Sequence, residues 1–240
     1  MSASESLDQM KEAVKAAQDE IVMAVMFHET WKPTAYDPSL HVRMGNSFAT
    51  HSFQIVRLSL RREMLLALTR LWDTNKRALR MTAIAEKLSD RQFFDALVED
   101  RVARLKLSWE YANKSVREEL RAKRDAVLVL VRKYSEGGES QGVLEKVRSL
   151  RHERLAHRQL AGRKTPTRAE AKDATDGEIE SFYNDNLELV RLLLSLVLAT
   201  AFDPTDTADV YRHHARFFWA SARGERTEGH PDYFAPREQN

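Results

Sequence analysis

The sequence predicts an all-α protein: a helical bundle of about four to five core helices, with an extra N-terminal helix and a C-terminal helix. Three observations carry this. Gly (8) and Pro (6) are scarce in 240 residues, too few for a turn-rich β protein. Apolar residues recur at spacings of three and four along most of the chain, the period of a helix with one buried face. From Arg91 to about Tyr134 neither proline nor glycine interrupts a run of helix formers.

The elements follow in order. Leu7, Met10, Val14, Ala17, Ile21, Ala24 and Val25 predict a first helix over residues 4–30. Pro33 and Pro38 predict a break at Trp31 and a loop to about Gly45. Asn46 or Ser47 can cap a second helix reaching about Asn75, with Phe48, His51, Ile55, Leu58, Leu65, Leu68, Leu71 and Trp72 on its apolar side. A short segment follows, with Thr82 as cap and Ile84, Ala85 and Leu88 inside. Ser89 or Asp90 can cap the long run to Tyr134, read as one helix or two, with a break at Tyr111 to Ser115. Gly137-Gly138 turns the chain, and Ser140 opens the next helix, whose apolar positions include Val143, Leu144, Val147 and Leu150. Residues 162–177 read as a loop, Glu178 to Phe202 as the most apolar helix, and Thr205 or Asp206 as the cap of a last helix through Trp219. Three regions are expected: 1–45 as an accessory helix and loop, 46–222 as the bundle, and 223–240 as a loose tail.

Composition narrows the chemistry. Hydrophobic residues make up 42% and charged residues 31%, which suits a folded, water-exposed domain. With no cysteine there is no disulfide, thiolate metal site or cysteine nucleophile, a composition that suits the cytoplasm. The polar N-terminus does not read as a signal peptide. The most apolar run, Leu192 to Phe202, falls short of the roughly 20 residues a membrane span needs, so no membrane partner is expected. No Gly-rich phosphate loop or carboxylate-rich metal cluster is present, so neither metal nor cofactor is expected.

One segment concentrates chemistry. Arg148-Ser-Leu-Arg-His-Glu-Arg-Leu-Ala-His-Arg158 holds four arginines (Arg148, Arg151, Arg154, Arg158) and two histidines (His152, His157). From Lys146 to Arg168 there are eight basic residues, including Arg163 and Lys164, against Glu153 alone. That local +7 stands against +2 for the whole chain, leaving −5 elsewhere. Such a concentration is an electrostatic footprint for a polyanion, here RNA. Cleaving RNA through its own 2′-OH needs a base, an acid and positive charge on the phosphate. Histidine can fill either proton role near neutral pH, and arginine grips phosphate and stays charged. On a straight helix Arg151 and His157 lie about 120° apart, so one copy borders a groove rather than closing a site. A bend near Arg151 or a second copy across a two-fold axis would complete it. The plain alternative is a solvated basic helix face. Arg148, Arg154, Arg158, Arg163 and Lys164 read as phosphate contacts or surface charge.

Arg151-His152, then four intervening residues and His157, resembles the signature of the HEPN superfamily, helical-bundle domains that often act as metal-independent RNases. Leu65-Leu-Ala-Leu-Thr-Arg-Leu-Trp-Asp73, taken with that motif, is similar to the abortive-infection toxin (AbiU-type) branch, over residues 48–202. The resemblance implies a composite active site at a homodimer interface, with Arg151 and His157 as its arginine and histidine and His152 at the polar position beside the arginine. It equally covers members that only bind. Arg70 and Asp73 form an ion pair at a helix end or orient Arg151 or His157. The leading expectation is a metal-independent endoribonuclease acting as a toxin or in phage defence, with RNA, a second copy and an antitoxin or inhibitor as partners. The rivals are a non-catalytic RNA- or nucleotide-binding module and a protein-interaction component docking through Phe217-Phe218-Trp219. Trp72 and the histidines His28, His41 and His51 read as structural, and His213-His214 as a poor metal pair, because adjacent residues diverge on a helix.

Overall fold

The computed structural model describes residues 3–75, 80–106, 111–156 and 174–233. It is all-α: α1 Ala3–Tyr36, α2 Pro38–Met44, α3 Phe48–Arg70, α4 Met81–Ser89, α5 Arg91–Arg104, α6 Ala112–Tyr134, α7 Gln141–Ala156, α8 Asp176–Leu193 and α9 Pro204–Ser221. Among the described residues the only β feature is an isolated antiparallel bridge between Trp72 and Arg80. No described helix is long and apolar enough to cross a membrane.

The chain divides into two compact units, Met1–Ile21 with Leu66–Asp203, and Val22–Leu65 with Pro204–Asn240. Helices α1 and α3 therefore each give one part to each unit. In the first unit α8 packs on α6 and α7, and α6 also packs on α4 and α5. Phe182, Leu189, Val190 and Leu193 of α8 and Leu120, Val127 and Val131 of α6 are buried. The first part of α1 buries Leu7, Met10, Val14, Ala17 and Ile21, and Lys11 reaches Asp100 of α5 at 3.3 Å.

Local chemistry sets the helix ends. The Asp90 side chain accepts from the Phe93 N–H at 2.9 Å and caps α5, as the sequence predicts. Thr175 and Glu178 form a reciprocal capping box at α8. The expected break at Tyr111 to Ser115 lies earlier: α5 ends at Arg104, Lys106 takes a left-handed φ of 51°, and the polar stretch becomes the first turn of α6, with Ala112 and Val116 buried. The α8 stretch ends in a π-turn, Leu194–Leu198, and left-handed Ala199, short of the expected Phe202. The Arg101 guanidinium, only 6% exposed, donates to the Ser195 and Leu196 carbonyls at 2.9 Å each. It satisfies groups that the π-turn withdraws from regular pairing, at the negative end of the helix dipole.

In the second unit the expected break at Trp31 does not occur. Helix α1 continues through Pro33 to Tyr36, and the carbonyl that Pro38 leaves without a backbone donor is served by a side chain. Thr34 would pair with residue 38, a proline; its carbonyl instead receives the His41 ring at 2.7 Å. Asp37 then caps α2 through Ser39 N–H at 2.9 Å. The first half of α3 buries Phe53, with Ala49 and Leu60 beside it, against Leu40, Met44, Ala215 and Trp219. The expected stripe of Phe48, Ile55 and Leu58 is exposed instead. The choice between two interleaved apolar stripes on one helix depends on the partner, which α3's own period does not identify. Of the expected loose tail, residues 223–240, the part after Tyr233 lies outside the described residues, and Gly224 and His230 are buried. The Phe48 N–H donates to Glu228, and any side chain at Gly224 would collide with the Met44 carbonyl.

Replacing Arg101 by Met is expected to lower unfolding stability by about 1–3 kcal/mol, since two carbonyls lose a charged donor. Urea denaturation of Arg101→Met against wild type measures it.

Candidate functional site

Residues 148–156 of the segment singled out by sequence are carried on α7 in the first unit. Gly137, at φ 76°, and Gly138 turn the chain after α6, and a Cβ at Gly138 would meet the Arg132 carbonyl at 2.2 Å. The Ser140 N–H donates to the Lys133 carbonyl at 2.9 Å, closing the turn. Helix α7 then buries Leu144 and Val147. Lys146 bonds Glu178 of α8 at 2.8 Å.

Arg148 donates to the backbone carbonyl of Trp72, tying α7 to the residue that follows α3. Trp72 itself is buried, as expected, and its indole N–H donates to the Asn186 side-chain oxygen at 2.7 Å. Asn186 in turn donates to the Phe182 carbonyl at 2.7 Å, so the amide is used on both sides. Trp72 lies 5.6 Å from the Tyr134 ring and 6.4 Å from that of Phe182. Tyr134 donates to Asp185 at 2.6 Å, and Lys133 reaches the same carboxylate at 2.8 Å. Burial, reinforced by the hydrogen bond to Asp185, pushes the Tyr134 phenol well above its usual range.

The backbone of Arg151, His152 and Arg154 is helical, and Arg151 and His152 fall four positions beyond Val147 and Arg148. His157, Arg158, Arg163 and Lys164 lie outside the described residues. A cavity of about 310 Å³ borders α7, lined by Asp73, Arg80, Glu136, Glu145 and Arg148 among others. Three carboxylates against two guanidiniums give it mixed charge. Arg70 and Asp73 do not form the expected ion pair. Arg70 bonds Glu20 of α1 at 2.9 Å, while Asp73 accepts from the Asn75 N–H at 2.9 Å and lines the cavity with Arg148. Among the described residues no cluster of His, Asp or Glu could hold a metal ion.

A model of the AbiU2 family, of HEPN type, matches residues 7–218. The chain belongs to the HEPN AbiU2 family. The match runs from α1 into α9, wider than the 48–202 span of the motif resemblance. AbiU2 membership makes this an abortive-infection HEPN domain. No curated protein and no solved structure matched the chain.

Asn186, Tyr134 and Asp185 are the residues sequence reading missed around this AbiU2 motif helix. The signal was present for one of them. Asn186 interrupts the apolar series Ile179, Phe182, Leu189 and Leu193, and a polar residue on a buried stripe needs a partner.

Asn186→Leu is expected to cost about 1–3 kcal/mol by leaving the Trp72 indole without an acceptor, measured by urea unfolding. Tyr134 carries a raised folded-state pKa, so its contribution is complete below its unfolded value of about 10 and is lost as pH rises above it. Tyr134→Phe should flatten the fall in the urea midpoint across that alkaline limb.

Proposed function

We propose that this HEPN AbiU2 protein is a metal-independent endoribonuclease working as a toxin or phage-defence effector, active as a homodimer in the cytoplasm. The observation that carries the reading is the Arg151–His152–His157 motif in a chain matched by the AbiU2 model over most of its length; Arg151 and His152 lie on a helix anchored by Arg148 to Trp72. In the reaction His157 takes the proton of a ribose 2′-OH. The 2′ oxygen attacks phosphorus, the bond from phosphorus to the 5′ oxygen breaks, and a protonated histidine, His152 or that of the second copy, returns a proton to the leaving oxygen. The products are a 2′,3′-cyclic phosphate and a 5′-hydroxyl. Arg151 holds the phosphate and offsets the charge that builds on it, while Arg148, Arg154, Arg158, Arg163 and Lys164 guide the strand by charge.

Two copies of the motif across a two-fold axis supply the acid, the base and doubled positive charge that one helix face does not. Arg70 and Asp73 act at a distance, through the α3 terminus. An antitoxin or inhibitor would silence such an enzyme by covering this face.

RNA cleavage in excess EDTA tests the reading. Wild type should cut and leave cyclic-phosphate ends, and His157→Ala should lose roughly 10²–10⁴-fold in rate. Full activity of His157→Ala would remove the assignment. Salt-sensitive RNA binding without cleavage products would favour the binding module.

A further inference from the structure

The second unit holds a cavity of about 450 Å³ formed by the last turns of α1, by α2 and by α9. Nothing in the cleavage reading uses it. Pro33 has no N–H to give to the Glu29 carbonyl and loosens that turn. In the same turn the Thr30 carbonyl accepts the Trp219 indole N–H at 2.8 Å, which seats α9 against α1 and forms the back wall. The apolar walls are Pro33, Tyr36, Trp219 and Ala220. Tyr36 is 53% exposed at the cavity, and its ring stands edge-on to Trp31 with centroids 5.6 Å apart.

The charged lining is four cations, Lys32, Arg43, Arg212 and Arg216, and two carboxylates, Glu29 and Asp37. Four minus two leaves +2 in the lining, and Asp209, bonded to Arg212 at 2.6 Å beside it, lowers the surplus to +1. Both carboxylates are already engaged. Glu29 is buried between the His28 ring at 3.0 Å and the Arg212 guanidinium at 2.9 Å. Burial pushes its carboxyl up, but those two hydrogen bonds outweigh it and hold it below its usual value. Asp37 is spent on the α2 cap through Ser39. On the cation side, Arg43 uses one nitrogen on the Trp219 carbonyl at 3.0 Å, and its Nε is buried with no partner among the described residues. Lys32 and Arg216 meet no carboxylate among the described residues; Arg216 lies over the Phe217 ring, 5.5 Å from its centroid.

We propose that this cavity binds a nucleoside monophosphate. A phosphomonoester carries close to two negative charges at neutral pH, and the lining offers Lys32 and Arg216, two cations not engaged by a carboxylate among the described residues. Lys32 and Arg216 hold the phosphate, and the planar base lies against Tyr36 and the apolar wall. A volume of this size is in the range of small-molecule sites. The nucleotide comes either free or as the 5′-phosphorylated end of an RNA strand.

The test is calorimetric titration of full-length protein carrying His157→Ala, which keeps any RNA intact. The titrants are adenosine 5′-monophosphate, uridine 5′-monophosphate, adenosine and inorganic phosphate. The monophosphates should bind, with adenosine and inorganic phosphate each at least about tenfold weaker. Lys32→Glu with Arg216→Glu should abolish binding at unchanged helicity by circular dichroism. Tyr36→Ala should weaken the nucleotide and leave inorganic phosphate unaffected. Competition by a 5′-phosphorylated but not a 5′-hydroxyl RNA identifies the strand end as the source, and its absence the free nucleotide. No binding of either monophosphate, equal binding of inorganic phosphate, or indifference to the charge reversals would overturn the proposal. None of these outcomes depends on cleavage, so this site and the RNase assignment fail separately.

Discussion

The hydrogen bond from the Trp72 indole to Asn186 is the constraint on which the first unit depends. Burying an indole contributes roughly 4–6 kcal/mol as an upper figure, at about 25 cal/mol per Å² over 150–250 Å². The hydrogen bond adds only about 1 kcal/mol net. Energy therefore comes from burial and orientation from the bond. Any rotation of the ring would leave an indole donor and an amide oxygen orphaned in a dry core. With the ring fixed, the Trp72 carbonyl is held where Arg148 can reach it, and α7 acquires a defined position at its midpoint. The family motif begins one turn further on.

A second device works at the other end of α8. Its last carbonyls are gathered by Arg101, a charge that would be costly to bury alone and is buried because those oxygens supply its partners. Burial is the main reason its guanidinium sits below the usual value, with the nearby Arg104 adding to it. Both ends of the most apolar helix are thus held by polar groups, a capping box at Thr175 and a buried guanidinium at the π-turn. Between them apolar contact with α6 and α7 does the packing.

Much of this was legible in the sequence. Helical period and the scarcity of glycine and proline gave the fold class, and Asp90, Gly137 and Gly138 marked real boundaries. Where reading failed, a distant partner had decided the outcome. Pro33 and Pro38 look like breakers, yet α1 runs through the first, and carbonyls of its last turns accept from Trp219 and His41, residues with no local signature for that role. Arg70 and Asp73 lie three apart and invite pairing, but Glu20, fifty residues away in sequence, takes the arginine. In α3 two apolar stripes coexist, and the position of Trp219 selects Phe53 over Phe48 and Ile55. The motif was legible as a family signature, and the family match over residues 7–218 agrees with that reading. Of the interaction segment Phe217-Phe218-Trp219, only Trp219 is buried.

The division of the chain sets an order of assembly. The first unit takes its residues from the start of the chain and from Leu66–Asp203, while the second needs Pro204 onward. During synthesis, which proceeds from the N-terminus, every residue of the motif-bearing unit has emerged before α9 is made. Val22–Leu65 must wait through all of that synthesis for Ala215 and Trp219 to complete its core. In that interval Phe53, Leu40 and Met44 are apolar surface without cover, so the second unit is the one most exposed to chaperones and proteases on the nascent chain.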